Sequence, residues 1–346
     1  MTTTYKDHLI ISGSSIEKAL FILNKLSQDA IIFVVEKDNK LIGALTDGDV
    51  RRGLLKGFNI KDNVDDIIEK KPKYLFLDET NIQKIIDLRE NGFRIIPIVN
   101  EDLIVINIIN FRILKSYLPI DAVIMAGGKG KRLKPLTNDV PKPLLKVGEK
   151  SIIDHGLDRL SLFGVENFWV SINYLGEQIE EHLASNPRIK FVKENKPLGT
   201  IGAVSKIKDF NKDYILVTNS DLLTNVNYED FFVEFIKKDA DFAALTIPYQ
   251  VDIPYAVLET LNGEIKSFKE KPKYTYYSNG GVYLMKRKIL DFIPENKFFN
   301  TTDLMEKLIQ NNSKIISFPF TGYWLDVGKH EDFEKAQKDI FKINFK

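Results

Sequence analysis

One stretch of the chain gathers glycine and positive charge as a phosphate-binding loop would: Ala126-Gly127-Gly128-Lys129-Gly130-Lys131-Arg132-Leu133-Lys134-Pro135-Leu136-Thr137. It follows directly on an apolar, strand-like run, Ala122–Ala126. The glycines let the backbone come close to a ligand and turn its N–H groups toward an anion. Arg132 and the three lysines add fixed positive charge. The loop is not a Walker A loop, because no Gly-Lys-Ser/Thr closes it. Nor is it the dinucleotide fingerprint, because the third glycine is missing and Arg132-Leu133 follows. Shortly downstream, Pro141 and Pro143 hold Lys142 in a segment with φ fixed on both sides.

Together these two segments resemble the signature of the sugar-1-phosphate nucleotidyltransferases, or NDP-sugar pyrophosphorylases. Other segments follow the same family in order. Glu194-Asn195-Lys196-Pro197-Leu198-Gly199-Thr200 resembles its base-binding segment. Thr218-Asn219-Ser220-Asp221 ends a strand, as the family's metal-binding aspartate does. Phe268-Lys269-Glu270-Lys271-Pro272 and Asn279-Gly280-Gly281 resemble its sugar-binding pair, and Trp324-Leu325-Asp326 resembles its second metal-ligand segment. The likeness covers roughly residues 120–341.

The resemblance implies transfer of a nucleotidyl group from an NTP to a sugar 1-phosphate, with pyrophosphate leaving. A phosphate monoester has a second pKa near 6, so the nucleophile is anionic at neutral pH and needs no general base. Positioning and electrostatics would carry the catalysis. By the same resemblance Arg132, Lys142 and Asp221 are catalytic, and Ala126, Gly127, Gly128, Gly130, Arg132, Glu194, Pro197, Gly199 and Thr200 hold the nucleotide. Glu270, Lys271, Asn279 and Gly281 hold the sugar phosphate. Asp221 and Asp326 hold Mg²⁺, a hard ion suited to carboxylate and phosphate oxygens. His8, His155, His182 and His330 share no spacing and read as structural or surface residues.

The elements that must position these residues alternate from Asp121 onward. Strand-like runs at Phe168–Ile172, Ile189–Val192, Tyr214–Thr218 and Phe242–Ile247 are separated by helical patterns such as Ile152–Leu162 and Tyr228–Lys238. Alternation of this kind predicts an α/β fold, a mostly parallel sheet with covering helices, and the resemblance to the sugar nucleotidyltransferases implies that it is Rossmann-like and of the glycosyltransferase-A type. Ligands of such sheets bind beyond the carboxyl ends of strands.

Residues 1–118 read as a separate α+β domain with a degenerate repeat, joined near Pro119 to a catalytic domain at 119–346. Ser15–Ser27 has helical spacing; strands follow at Ile31–Val35 and Leu41–Leu45, and Thr46-Asp47-Gly48-Asp49 opens another helix. The second copy runs Asn81–Asn91, Arg94–Val99 and Leu103–Ile106, with Asn107 expected in the place of Thr46 and Asn110 in the place of Asp49. The stretch Leu41–Arg51 resembles a CBS module, and such pairs bind adenine nucleotides through a Thr/Ser and an Asp three residues on. Here those would be Thr46 and Asp49, one site per pair at most. A purely dimerising module is the alternative, and a homo-oligomer is expected.

Composition bounds the rest. Basic and acidic side chains number 49 and 48, and neither half departs from neutrality, so nucleic acid and anionic membrane are not expected partners. Cysteine is absent, which excludes disulfides, thiolate metal sites and cysteine nucleophiles. No signal-like apolar segment stands near the N-terminus, and a cytoplasmic location is expected. GTP is the expected nucleotide, because Glu194 with Pro-Leu-Gly-Thr resembles guanylyltransferases; either the Glu194 carboxylate, accepting from guanine, or backbone groups would read the base. Glucosamine 1-phosphate is the first sugar, then mannose or heptose 1-phosphate. The alternatives are uridylyl or thymidylyl transfer to a hexose 1-phosphate, and a nucleotide-sensing protein whose transferase domain is inactive.

Overall fold

In the computed structural model, which describes residues 4–343, the chain divides into two compact units, Met1–Tyr117 and Leu118–Lys346.

The second unit is built on a seven-stranded sheet. Its order across the sheet is Ile189–Lys193, Phe168–Ile172, Ile120–Met125, Tyr214–Asn219, Lys273–Lys286, Phe242–Asp252 and Ile315–Pro319. Every neighbouring pair is parallel except those made by Lys273–Lys286, which runs against both its neighbours. The parallel strands are near-continuous apolar runs because helices cover both faces. From Ile120–Met125 the chain builds outward through two strands, then returns to place Tyr214–Asn219 on the other side. The strand order reverses there, so a crevice opens beyond the ends of those two strands. The glycine-rich loop leaves one of them and Asp221 follows the other.

Asp121 anchors this centre. It is fully buried and accepts from the Asn211 and Lys212 N–H groups, at 2.6 and 2.9 Å, and from Asn167 Nδ2 at 3.0 Å. Burial pushes its carboxyl above the usual range, against the pull of those donors. The start of the first strand is thereby tied to the segments that lead into its two neighbours.

The main core packs Val123, Trp169, Ile215, Val217, Phe242 and Tyr283 against Leu304 and Leu308 of the helix Thr301–Gln310. A smaller cluster lies apart from it: Leu133, Leu145, Val147, Ile152, Leu223, Leu325, Val327 and Ala336. Its members flank the predicted catalytic residues in sequence. Leu133 follows Arg132, Leu223 follows Asp221 by two, and Leu325 and Val327 bracket Asp326. Burying these apolar neighbours fixes where the polar side chains stand.

The first unit contains two three-stranded sheets of the same plan. In each, a first strand is parallel to the second and the second antiparallel to the third: Leu9–Ile11, Ile31–Val35 and Leu41–Thr46, then Leu75–Phe76, Ile95–Val99 and Val105–Asn110. The repeat is real, but its register differs from the sequence reading. Thr46 pairs with Ile31, and Asn110, not Asn107, pairs with Ile95. Asn107 instead matches Gly43, since they pair with Ile98 and Val34. Asp49 is therefore matched by Ile113, and the reading that set Asn110 against Asp49 is corrected.

The expected helix after the second copy's last strand is also absent. In the first copy Thr46 caps the helix Asp47–Leu55 with a reciprocal pair, the Asp49 N–H donating to Thr46 Oγ1 and the Thr46 N–H donating to Asp49 Oδ2. In the second, Asn110 Oδ1 takes the Arg112 N–H at 3.0 Å, but Ile113 has no carboxylate to return. Only a turn forms, and Pro119 lies a few residues on. No helix among the described residues is long and apolar enough to cross a membrane.

Candidate active site

Two short strands, Leu222–Thr224 and Trp324–Asp326, pair antiparallel with Leu222 opposite Asp326. The Val327 N–H donates to the Asp221 carbonyl at 3.0 Å. This pairing brings the two expected metal ligands together. Lys142 comes between them from the turn Lys142–Leu144: its Nζ is hydrogen-bonded to Asp221 and lies 3.6 Å from Asp326 Oδ1. Lys142 is buried despite its charge, which only a paired lysine tolerates. Arg132 joins the group, since a Cβ placed on Gly328 would meet its Nη2 at 3.1 Å and Asp326 Oδ1 at 3.4 Å.

The formal charges of this cluster balance, two cations against two carboxylates, but its hydrogen bonding is incomplete. Burial first, then the Asp221 charge, holds the Asp326 carboxyl above the usual range, while Lys142 and Arg132 pull it down. Asp221 Oδ1 and Asp326 Oδ1 are both buried without a hydrogen-bond partner. Two orphaned carboxylate oxygens on adjoining segments fit a divalent cation. No group of three or more His, Cys, Asp or Glu side chains gathers anywhere among the described residues, this cluster of two carboxylates included. Two carboxylates suit Mg²⁺, which keeps its other positions for water and substrate phosphate.

The glycine loop faces this cluster. Gly130 is left-handed at φ 58°, and a Cβ on it would lie 2.9 Å from Thr137 and 3.1 Å from Lys142. Its carbonyl accepts from Thr137 Oγ1 at 2.9 Å. Gly127 has no room for a side chain either, because Glu194 Oε1 lies 2.8 Å from where its Cβ would be. Ala126 is buried at the end of the strand, its N–H bonded to Ser171.

The buried Glu194 carboxylate takes the Ser171 hydroxyl on one oxygen and the Leu198 N–H, at 2.9 Å, on the other. The residue locks the Pro197–Thr200 segment against the glycine loop, with one hydrogen bond on each carboxylate oxygen, and it lines the cleft. Gly199, at φ 81°, packs so closely on the Phe299 carbonyl that a Cβ would stand 2.5 Å from it. Thr200 Oγ1 accepts the Thr301 N–H at 2.9 Å, and Asn300 takes the Thr200 N–H at 3.3 Å. An open cleft of about 280 Å³ results, lined among others by Gly127, Gly128, Lys142, Glu194, Pro197 and Asp221.

The two expected sugar segments part company. Asn279 and Gly281 lie beside the cleft: Asn279 Oδ1 takes the Gly281 N–H at 3.0 Å, and Gly281, at φ 71°, leaves 2.7 Å between a would-be Cβ and Asn219 Nδ2. None of the four is among the residues that line it. Glu270 and Lys271 are exposed in the turn between Glu264–Lys269 and Lys273–Lys286. In the first unit the Asp49 carboxylate is occupied by Thr46 and by Arg52, the latter at 2.5 Å. Sequence reading missed Asn173, Asn219, Phe298 and Asn300. Asn300 carried a signal, since it caps a helix reciprocally with Asp303; the others are ordinary residues made relevant by packing.

A sheet whose strand order reverses over an anion loop, a lysine and two half-satisfied carboxylates defines an α/β phosphate-chemistry fold. The chain belongs to the nucleotidyl transferase family, whose profile matches residues 121–343. A CBS domain profile matches residues 10–56. The bifunctional protein GlmU of Methanocaldococcus jannaschii is 32% identical over 233 residues, 65% of this chain and 55% of that protein. The mannose-1-phosphate guanyltransferase of Schizosaccharomyces pombe is 32% identical over 61% of this chain and 62% of that protein. The chain thus spans little more than half the length of such relatives. HddC from Yersinia pseudotuberculosis, solved in complex with GMP-PN, is similar at 27% identity with a TM-score of 0.50, covering 64% of this chain and 99% of that one.

Proposed function

We propose that the chain transfers a nucleotidyl group from an NTP to a sugar 1-phosphate. The anionic phosphate oxygen of the sugar attacks the α-phosphorus, a new P–O bond forms, and the bond to the β-phosphate oxygen breaks as pyrophosphate leaves. What supports this is the meeting of Lys142, Asp221 and Asp326 with the glycine loop at the switch in strand order. Gly127, Gly128 and Gly130 offer N–H groups to the triphosphate, Arg132 balances the departing pyrophosphate, and Lys142 the α-phosphate. Asp221 and Asp326 would hold Mg²⁺, which supplies positive charge against phosphate oxygens. Asn279 and Gly281 take the sugar side. Pyrophosphate release with each common NTP against a panel of sugar 1-phosphates tests the reading, and no release with any pair overturns it.

GTP is the nucleotide and glucosamine 1-phosphate the first sugar, with mannose or heptose 1-phosphate behind it. The guanyltransferase relative and the GMP-PN complex of HddC support guanine. With the Glu194 carboxylate engaged, backbone groups of Pro197–Thr200 are left to recognise the base. GTP is expected to exceed UTP and dTTP in kcat/KM by tenfold or more; a preference for UTP or dTTP would refute this.

In the first unit Thr46 and Asp49 are the candidate adenine-nucleotide site, with no counterpart in the second copy because Ile113 replaces the aspartate. Calorimetry of the full chain with AMP, ADP and ATP is expected to show one event in the first unit, lost in Asp49→Ala. Binding that survives Asp49→Ala would move the site elsewhere.

A further inference from the structure

Phe298 lines the concave cleft of the second unit, yet it stays 62% exposed. A lone apolar residue on a convex surface is ordinary; an uncovered ring inside a ligand-sized cleft is a surface for something to lie on. The backbone on either side of it is fixed. The Phe299 N–H donates to the Leu198 carbonyl at 2.9 Å, and the Phe299 carbonyl accepts from the Ile201 and Gly202 N–H groups at 3.2 and 3.1 Å. Ahead of the ring, the Lys297 carbonyl lies so near Gly202 that a Cβ there would stand 2.8 Å from it. Beyond the ring, Asn300 takes the Thr200 N–H and the Thr301 N–H donates to Thr200 Oγ1. The run 297–301 is thus laid along the run 198–202, backbone on backbone. Phe298 is carried by the same segment that is proposed to recognise the base.

The substrates offer such a ring phosphate, sugar or base. Phosphates are hydrated polyanions, matched by the glycine loop, Arg132 and Lys142 rather than by an apolar ring. A sugar presents hydroxyls, for which phenylalanine has neither donor nor acceptor. The base alone is planar and aromatic, and its π-face stacks on an aromatic side chain. Stacking removes apolar surface of both rings from water. Because the backbone around Phe298 is already held, covering the ring orders little that was free, and the contact is preorganised.

We propose that the Phe298 ring is the platform on which the base of the nucleotide stacks, a role that rests on the nucleotidyl-transfer reading of the cleft. Calorimetry on the full chain with Mg²⁺ compares GTP with inorganic tripolyphosphate, which has the phosphates and no base. Phe298→Ala is expected to weaken GTP binding about tenfold or more and to leave tripolyphosphate binding unchanged. Phe298→Tyr keeps the ring and is expected to bind GTP as the parent does. Phe298→Leu keeps apolar bulk without a π-face and is expected to stay weak. All three should melt with the parent, since the residue is mostly exposed. Equal loss of GTP and tripolyphosphate in Phe298→Ala would make the residue a prop for the loop and overturn the proposal. So would parent-like GTP affinity in Phe298→Ala or Phe298→Leu; a raised KM for sugar 1-phosphate in the same variants would then turn the ring toward the sugar. These affinities are read without turnover, so they hold even if the parent releases no pyrophosphate, an outcome that would refute the transfer alone.

Discussion

Asp221→Asn is expected to lower turnover by a hundredfold or more at saturating Mg²⁺ while leaving the protein folded. Asn keeps the shape and one carbonyl oxygen but loses the negative charge that a hard cation requires. Removal of one preorganised electrostatic group typically costs about 10²–10³ in rate. Asp221 Oδ1 is buried without a partner, so the fold does not depend on that oxygen. Asp326→Asn sharpens the contrast. The fold already holds the Asp326 carboxyl above its usual range, so its charged form opposes folding at neutral pH. Metal-free stability carried by this group should rise as pH falls through that elevated pKa. The Asn variant should melt no earlier than the parent in the absence of metal, and still lose turnover. Full activity of Asp221→Asn with Mg²⁺ would sink the metal assignment.

Lys142→Ala is expected to cost both turnover and stability. The lysine loop alone suggests loss of activity with no effect on folding, and the structure changes that expectation. Lys142 stands between two carboxylates, and its removal leaves Asp221 and Asp326 facing each other. Removing one partner of a fully buried ion pair costs about 3–5 kcal/mol. These carboxylates are only partly buried, so about 1–2 kcal/mol is expected, a few degrees in melting temperature for a unit of this size. Turnover should fall on the order of a hundredfold. Mg²⁺ should raise the variant's melting temperature more than the parent's, because the cation replaces the missing positive charge. A variant that melts with the parent and keeps its rate would remove Lys142 from the site.

Most of the second unit was legible in the sequence. The strands Phe168–Ile172 and Tyr214–Asn219 are apolar runs of strand length, and the helix Ile152–Leu162 has clean helical spacing. Arg132, Lys142, Asp221 and Asp326 were read as a set because their segments follow one family's motifs in order; each alone reads as a cap, a turn or a loop residue. The role of Glu194 was not, because hydrogen bonds with Ser171 and Leu198 arise only once two strands lie side by side. Glu270 and Lys271 were read by their motif, but the turn that carries them gives no sign in sequence of where it will point. In the first unit the repeat was visible and its register was not. Both copies carry a bulge at the same point, so the difference lies at the strand start: the apolar Leu103 reads as the first strand residue but stands in the turn at φ 64°, and the strand begins at Val105. Asn110 then takes the place expected of Asn107, and Asn107 moves to that of Gly43.

The small apolar cluster of Leu133, Leu145, Leu223, Leu325 and Val327 stands outside the main core. Such satellite clusters open more readily than the fold as a whole and tend to do so as one cooperative unit. Arg132, Lys142, Asp221 and Asp326 are each attached to a member of it, so the four would be lost and regained together. A ligand that binds only the assembled arrangement stabilises that unit by mass action. Amide exchange near residues 133, 145, 223 and 325 should then slow in step as nucleotide and Mg²⁺ are added, while amides of the central strands, already closed, change little.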